Sequence, residues 1–258
     1  MRFIRFTYRN GEPQYGWVLE NMVGRVEGNP FGEYRRMEAH IPLSEIKLLP
    51  PVTPSKVVAV GRNYAEHARE HGAEVPETPL IFLKPSSCVI GNGDAIVLPP
   101  QSQQVEHEAE LGVVIGKTGR WIELDKALDY VWGYTCGNDV TARDLQQKDG
   151  QWTRSKSFDT FCPLGPWVET ELDFADVLIT CRVNGEMRQM GSTRDMVFSV
   201  PQLVVFVSTV MTLYPGDVIL TGTPAGVSPI LPKDVVEVTI DGIGTLSNPV
   251  VQQTPQAV

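Results

Sequence analysis

Three glutamates alternate in the segment 105–111, at Glu106, Glu108 and Glu110. Side chains two residues apart in a strand point to the same face, so the three carboxylates would stack and repel one another. An apolar run at 111–115 follows directly, which places at least the end of the segment near the interior. Because a buried, unpaired carboxylate is costly, a hard divalent cation bound by these oxygens is one solution. A solvated face on an edge strand is the other.

A second group of polar residues lies at 138–146, where an apolar strand is predicted to end and a helix to start. Asp139 stands at this junction, either as a helix cap or as a third carboxylate for the same cation. Arg143 and Gln146 are three residues apart and share a helix face. They can hydrogen-bond a carboxylate on a ligand, or they can be ordinary exposed side chains.

A possible acid–base pair follows the sequence Gly-Arg-Asn-Tyr at 61–64. His67 and Glu70 are three residues apart on a predicted helix over 64–71. A carboxylate beside an imidazole raises its basicity and fixes its tautomer, which makes a usable general base. The alternative is a surface pair on that helix.

Two further residues carry weaker signals. Lys156 is flanked by aromatic residues and acts either as a semi-buried electrostatic stabiliser or as a lysine whose amine reaches solvent. Thr223 lies in the glycine-rich segment 221–227, which lacks the Gly-Lys-Ser/Thr ending of a phosphate-binding loop. A tight turn that presents Thr223 is the better interpretation.

Composition excludes several classes of protein. The 258 residues carry a net charge of −9, which argues against nucleic acid as a partner. The N-terminus lacks a signal-peptide core, and the apolar stretch 203–213 is too short to span a membrane. The four cysteines are far apart and form no CxxC pair, which argues against a zinc site. Reduced thiols of this kind are typical of a cytoplasmic protein. They are Cys88, Cys136, Cys162 and Cys181.

The order of predicted elements gives a β-rich α+β fold with a few helices. Strands predicted at 3–8, 15–19 and 22–27, with a hairpin turn at Asn10-Gly11, form a small N-terminal β subdomain at 1–50. A proline-rich bridge at 49–54 separates it from the main domain at 56–258. Strands are predicted there at 56–60, 80–83, 110–115, 134–139, 177–183, 217–221 and 235–240, with helical spacing at 125–130. Helices are predicted to begin near Thr141 and after Ser199, the latter apolar almost all round and therefore buried.

The residues of the motifs and their order along the chain together resemble those of the fumarylacetoacetate hydrolase family. The sequence contains Gly-Arg-Asn-Tyr-x-x-His, Phe-Leu-Lys-Pro, Glu-x-Glu before an apolar strand, Asp-Val-Thr-Ala-Arg-Asp-Leu-Gln, Lys-Ser-Phe and Leu-Thr-Gly-Thr-Pro-x-Gly-Val. The match runs from about residue 56 to about residue 251. The first 50 residues resemble the short extension of bacterial members named as dioate isomerases or decarboxylases.

The resemblance implies a mixed β-roll core, a homodimer and one Mg²⁺ or Mn²⁺ per subunit, with Ca²⁺ as a substitute in crystals. By motif position the metal ligands would be Glu108, Glu110 and Asp139, and Glu106 falls outside the set. The catalytic residues would be His67, Glu70 and Lys156. The substrate would contact Arg143, Gln146 and Thr223.

The expected chemistry follows from these charges. A 2-oxo dicarboxylate or an acylpyruvate would chelate the cation, which would stabilise an enolate as a Lewis acid. The expected reaction is C–C hydrolysis of an acylpyruvate or decarboxylation of an oxaloacetate-like acid. The alternative is keto–enol tautomerisation or double-bond isomerisation, which would use the same arrangement. Two other possibilities are a non-catalytic protein braced by calcium and an enzyme with Cys136 or Cys162 as nucleophile.

Overall fold

Strands dominate the computed structural model, which describes residues 1–9, 11–70 and 72–254. In the order of the chain the strands are Arg2–Tyr8 (β1), Gln14–Leu19 (β2), Met22–Gly28 (β3), Tyr34–Pro42 (β4), Ile46–Leu49 (β5), Val57–Gly61 (β6), Leu80–Lys84 (β7), Val89–Ile90 (β8), Ile96–Leu98 (β9), Val105–Glu106 (β10), Ala109–Ile115 (β11), Val131–Asn138 (β12), Thr141–Ala142 (β13), Cys162–Glu169 (β14), Leu178–Val183 (β15), Glu186–Ser192 (β16), Val218–Leu220 (β17), Val235–Ile240 (β18) and Gly244–Gln252 (β19).

The described helices are few and short. The α-helices are Ala65–Glu70 (α1), Arg143–Asp149 (α2), Thr153–Lys156 (α3) and Val200–Val210 (α4), and five 3-10 turns span Leu43–Glu45, Ser86–Cys88, Leu124–Tyr130, Phe174–Asp176 and Thr193–Asp195. In the described part of the chain, no helix is long and apolar enough to cross a membrane.

A large mixed sheet forms the body of the molecule, in the order β4-β3-β2-β1-β14-β12-β11-β17-β6-β7. Most neighbours are antiparallel, whereas β17 and β6 are parallel. The predicted fold class, β-rich with few helices, is confirmed. The N-terminal strands extend this sheet, because β1 pairs with β14 through Phe3 and Val168.

A five-stranded sheet packs against the centre of the large one, in the order β16-β15-β18-β19-β9. Contacts between β11 and β15 and between β12 and β18 bring the two sheets face to face. The main apolar core fills the space between them, with fully buried residues such as Leu111, Cys136 and Ile179. Burial on both sides explains why β11 reads as a continuous apolar run.

Several sequence predictions differ from the structure in detail. The helical spacing near 125–130 is a 3-10 helix, and the helix expected near Thr141 begins at Arg143, after the short strand β13. Helix α4 has the predicted capping box between Ser199 and Gln202, but the expectation that it is buried all round is wrong. One face packs on the core, whereas Val210 is 52% exposed. The predicted turn residue Asn10 and the predicted helix residue His71 lie outside the described residues.

Candidate active site

Three acidic side chains meet at one end of the paired strands β11 and β12. Glu110 lies in β11, Glu108 immediately precedes that strand, and Asp139 immediately follows β12. Antiparallel pairing of Ala109 with Asn138 brings these positions together. One carboxylate oxygen from each acid lies within 4.8 Å of the others. All three residues are at most 4% exposed, which excludes a solvated edge-strand face.

Glu106 is separated from this acidic cluster by a break in the strand. Strand β10 ends at Glu106 and β11 begins at Ala109, so the three glutamates do not stack on one continuous strand as the alternation suggested. The Glu106 carboxylate accepts hydrogen bonds from Arg143 Nε at 2.7 Å and from Gln104 Nε2 at 2.6 Å. It therefore pairs with an arginine rather than joining the other acids.

Three cations surround the acidic cluster. Lys156 Nζ donates to Glu108 Oε2 at 2.8 Å and to Asp139 Oδ2 at 2.6 Å, and Arg143 also donates to Glu108. Lys156 is 2% exposed, and its ammonium lies 5.1 Å from the centre of the Phe82 ring, so it does not reach solvent. The third cation is Lys84.

Lys84 contacts the acidic cluster, and the sequence analysis did not single it out. Its side chain is completely buried, and Nζ donates to Asp139 Oδ1 at 2.6 Å and to the main-chain carbonyl of Lys156. Lys84 is the last residue of strand β7. Its two hydrogen bonds hold Asp139 and the end of helix α3 in place. The Phe-Leu-Lys-Pro motif contained this residue, but its partners lie 55 and 72 positions further along the chain.

Glu110 has the least compensated charge of the three acids. Its carboxylate oxygen Oε2 accepts a hydrogen bond from the main-chain N–H of Gly222 at 2.7 Å. Burial, together with the neighbouring charges of Asp139 and Glu108, raises the pKa of the Glu110 carboxyl well above its usual range. A divalent cation would relieve this repulsion, and the all-oxygen donor set suits Mg²⁺ or Mn²⁺. The residues present therefore fit such an ion.

The predicted pair of His67 and Glu70 is brought together on α1. His67 Nδ1 lies 3.4 Å from Glu70 Oε2, at the outer limit of a hydrogen bond. His67 is 8% exposed and lines the same pocket as the acidic cluster. Both oxygens of Glu70 also lie 3.2 Å from the main-chain N–H of Gly226. Glu70 thus ties the helix to the segment 221–227.

Thr223 and Gln146 both line the pocket, and each side chain has an oxygen that is already hydrogen-bonded within the protein. Thr223 Oγ1 donates to the carbonyl of Ala109 at 2.8 Å and accepts from Gln189 Nε2 at 2.7 Å. The Gln146 side-chain oxygen accepts from Arg143. The completely buried Gln189, which the sequence analysis missed, also accepts from the main-chain N–H of Ala109 and so braces the start of β11.

The pocket is a small cavity of about 210 Å³. Its lining comprises Val60, Gly61, Arg62, His67, Ala68, Phe82, Glu108, Glu110, Asp139, Arg143, Gln146, Gln147, Trp152, Lys156 and Thr223. Pockets that hold drug-sized ligands measure roughly 300–1,000 Å³. The volume of this cavity therefore suits a smaller, polar ligand.

A cysteine nucleophile does not fit this site. All four cysteines are free and buried, and none of them lines the pocket. Burial raises the pKa of the Cys136 thiol to about 12, and the pKa of Cys162 is also raised well above its usual range, chiefly by its hydrogen bond with Cys88. Neither thiol forms a nucleophilic thiolate readily near neutral pH.

Comparisons with known proteins identify the family. The model of the fumarylacetoacetate (FAA) hydrolase C-terminal domain matches residues 56–251, and a model described as Rv2993c-like, N-terminal matches residues 1–51. The chain belongs to the fumarylacetoacetate hydrolase family, as its motifs suggested. This is a family of enzymes with isomerase, hydrolase and tautomerase members.

Several relatives carry names that describe a reaction, and three of them illustrate the range. The oxaloacetate tautomerase FAHD2B, mitochondrial, of Bos taurus is 49% identical over 224 residues, which are 82% of this chain and 71% of the bovine protein. The structure of 5-carboxymethyl-2-hydroxymuconate delta-isomerase from Mycobacterium smegmatis is 45% identical, with a TM-score of 0.91 over 98% of this chain and 100% of that one. Maleylpyruvate hydrolase from Sphingobium sp. SYK-6 is 33% identical, with a TM-score of 0.80 over the same shares of the two chains.

Proposed function

We propose that this chain is a divalent-metal-dependent enzyme that converts small 2-oxo acids through their enol form. The observation that carries the proposal is the buried cluster of Glu108, Glu110 and Asp139 within a small pocket lined by further basic and polar groups. Three converging carboxylates hold a cation, and the neighbouring cations accommodate an anionic substrate. A 2-oxo acid has the adjacent carboxylate and keto oxygens that suit both.

The proposed cofactor is Mg²⁺ or Mn²⁺, held by Glu108, Glu110 and Asp139. When bound, it supplies Lewis-acid stabilisation of negative charge on the substrate's oxygen atoms. Lys84 and Lys156 share the two oxygens of Asp139, so they orient this ligand rather than leave it to rotate. Preorganised charge of this kind requires little rearrangement during the reaction.

The substrate carboxylate is proposed to bind Arg143 and Gln146. Three N–H groups of the Arg143 guanidinium are directed to Glu106, Glu108 and Gln146, which leaves two of its five donors for a ligand. Lys156 adds positive charge beside the keto oxygen. The hydroxyl proton of Thr223 is directed to Ala109, so we assign Thr223 a role in shaping the pocket and accepting a hydrogen bond.

His67 is proposed to move the proton. Its imidazole lies in the pocket wall with Nδ1 3.4 Å from Glu70 Oε2, and it would exchange a proton with the substrate carbon or oxygen. Removal of a proton from the carbon beside the keto group produces the enolate. Return of that proton to the oxygen gives the enol, and its return to the far carbon of a conjugated substrate completes a double-bond isomerisation. Helix α1 carries both residues and would exclude water when it covers the pocket.

Two reactions are compatible with this site. Keto–enol or double-bond isomerisation is favoured by the names of relatives above 40% identity, among them the tautomerase and the delta-isomerase. C–C hydrolysis of an acylpyruvate or decarboxylation of an oxaloacetate-like acid is the second candidate. The His67–Glu70 pair favours it, because the same base can activate a water molecule, and a maleylpyruvate hydrolase shares the fold.

Turnover of three substrates separates the candidates. Oxaloacetate, acetylpyruvate and fumarylpyruvate are each assayed for pyruvate release and for loss of the enol absorbance, first with EDTA and then with Mg²⁺ or Mn²⁺ restored. Metal-dependent enol loss without pyruvate supports isomerisation, and metal-dependent pyruvate release supports cleavage. Absence of both, in protein that binds metal, would contradict the proposed substrate class.

A matched pair of variants on α1 tests the role of Glu70. Glu70→Gln is expected to reduce kcat by roughly 10²-fold, the lower range for general acid–base catalysis, with unchanged metal affinity. Glu66→Gln, an exposed position outside the pocket on the same helix, is the control and should retain full activity. Equal activity of the two variants would remove Glu70 from the mechanism.

We also propose that the protein is a homodimer, as the family resemblance implies. Light scattering of the purified protein would test this.

A further inference from the structure

One basic residue that lines the pocket has no counterion among the residues that the structure describes. Among the basic residues that line the cavity, Arg143 and Lys156 are both paired with carboxylates. Arg62 also lines the cavity, yet it forms no ion pair or side-chain hydrogen bond within the described residues 1–9, 11–70 and 72–254. Its positive charge is therefore available to a ligand.

The position of Arg62 is fixed by its neighbours. Asn63 is completely buried, and its side-chain amide donates to the carbonyls of Thr221 at 2.7 Å and Phe198 at 3.0 Å. The Asn63 side-chain oxygen accepts from the main-chain N–H of Phe198 at 2.8 Å. These bonds anchor the turn after β6 to two distant segments, so the backbone of Arg62 belongs to a rigid element.

The backbone at Arg62 is unusual as well. Its φ angle is +58°, a left-handed conformation that glycine adopts more easily than a branched or long side chain. On one side, Gly61 packs so closely on Trp152 that an added Cβ would lie 2.6 Å from the indole ring. A strained, well-anchored residue that extends an unpaired cation at a pocket is typical of a ligand-binding position.

Arg62 and the acidic cluster differ in depth. Glu108, Glu110 and Asp139 are 1–4% exposed, whereas Arg62 is exposed. A substrate with its 2-oxo acid group at the buried cluster would extend its other end towards the solvent side of the pocket. The remaining outer lining is aromatic or amide in character, with Phe82, Trp152 and Gln147.

We infer that Arg62 binds the second carboxylate of a 2-oxo dicarboxylate, and thereby selects dicarboxylates over 2-oxo acids with a neutral tail. The inference rests on the proposed function and specifies its substrate class. Guanidinium binds carboxylate with two parallel N–H donors, a charge-assisted geometry that a neutral tail cannot use. The small cavity limits the chain between the two acidic ends to a few carbons.

Calorimetry with two matched ligand pairs tests this selectivity in protein that also carries His67→Gln, which removes the proposed base and so prevents turnover. In each pair a terminal methyl replaces the distal carboxylate: 2-oxoglutarate with 2-oxovalerate, and oxaloacetate with 2-oxobutyrate. Each ligand is titrated into the Mg²⁺-loaded His67→Gln protein and into the same protein with Arg62→Gln, Arg62→Lys or Arg25→Gln. Arg25 is exposed on β3 outside the pocket, so its variant has the same charge change at a remote position.

For at least one pair, Arg62→Gln should weaken dicarboxylate binding by about tenfold, with the methyl analogue changed less than about twofold. Arg62→Lys should restore part of the preference, and Arg25→Gln should leave it intact. An unchanged preference in Arg62→Gln, or an equal loss for both members of each pair, would overturn the inference. Because binding is measured apart from catalysis, wild-type protein that binds 2-oxo acids but converts none would instead contradict the proposed function.

Discussion

The carboxylate of Asp139 is held between two ammonium groups, and one of them is completely buried. Lys84 donates to one oxygen and Lys156 to the other. Desolvation by burial would lower the pKa of the Lys84 ammonium. The negative charge of Asp139 more than offsets this effect, so the pKa of Lys84 is raised overall. A buried charge of this kind depends on its partner.

Replacing Lys84 should therefore destabilise the protein. Lys84→Met leaves Asp139 with one cation fewer and removes the donor to the Lys156 carbonyl, which should lower the free energy of unfolding by about 3–5 kcal/mol. Urea denaturation measures this loss. Lys148→Met, at an exposed position of α2, is the control and should remain within about 0.5 kcal/mol of wild type. Similar stabilities of the two variants would contradict the assigned role.

Cys136 and Cys181 should be unreactive in the folded protein. Burial raises the pKa of Cys136 and of Cys181 to about 12. At pH 8 the thiolate fraction is then about one in 10,000, against roughly one in four for an ordinary thiol of pKa 8.5. Iodoacetamide at pH 8 should modify these two residues only after unfolding in urea, as peptide mass spectrometry would detect. Rapid alkylation of either residue in native protein would show that its environment is wrong.

Local patterns in the sequence predicted the residues of the site that lie near one another in the chain. The spacing of Glu108 and Glu110 indicated a shared direction, and the i,i+3 spacing of His67 and Glu70 indicated a shared helix face. Residues that act through distant partners gave no such signal. Lys84 and Gln189 look ordinary in sequence, because their contacts depend on how β7 and β16 are placed in the folded sheets.

At the scale of elements, the short helix α1 depends on the segment 221–227. The Glu70 carboxylate accepts from the main-chain N–H of Gly226, and Gly226 has a φ angle of +102°. An added Cβ at Gly226 would lie 2.2 Å from the carbonyl oxygen of Arg188. This glycine therefore provides both the backbone shape and the space that keep α1 beside the pocket.

Gly226→Ala should displace the segment and loosen α1. We expect kcat to fall by roughly tenfold or more, because a small misplacement of His67 is enough to reduce turnover. Gly185→Ala is a matched control, since Gly185 has a φ angle of +82° but nothing within 4 Å of an added Cβ. The control should be less stable by about 1 kcal/mol and fully active. Loss of activity in both variants would point to general destabilisation instead.

The sequence predicted helices and strands well where the pattern of apolar residues or a helix cap was clear. It predicted the ends of these elements less well. Strand β11 followed from its apolar run, and α4 from the Ser199–Gln202 capping box. The break between β10 and β11 was not foreseen, because alternation alone does not reveal that Val105 and Glu106 pair with β13 instead of β12. The one-sided burial of α4 likewise depends on packing rather than on composition.

At the scale of the whole molecule, the N-terminal strands and the main domain share one sheet. Phe3 lies at this junction, 2% exposed, with its ring 5.0 Å from Trp132 and 5.5 Å from Tyr34. The proline-rich bridge at 49–54 suggested a boundary in the chain. The pairing of β1 with β14 shows that hydrogen bonds nevertheless cross between the two parts.

Phe3→Ala should therefore destabilise the whole protein. Loss of a buried phenylalanine costs about 3–5 kcal/mol, and we expect a single unfolding transition shifted to lower urea concentration. Circular dichroism and tryptophan fluorescence should report the same midpoint. Leu19→Ala, at a side chain in β2 that is 54% exposed, is the control with little effect. Two separate transitions would show that the N-terminal strands unfold on their own.

The central claim is that the acidic cluster holds a catalytic divalent cation, and a joint titration tests it most directly. Mn²⁺ is added stepwise to EDTA-treated protein, and bound Mn²⁺ and oxaloacetate conversion are measured on the same samples. The account predicts that activity rises in proportion to occupancy and saturates near one ion per chain, and that Glu110→Ala binds Mn²⁺ at least tenfold more weakly. Full activity in stripped protein, or unchanged Mn²⁺ affinity in the variant, would contradict it.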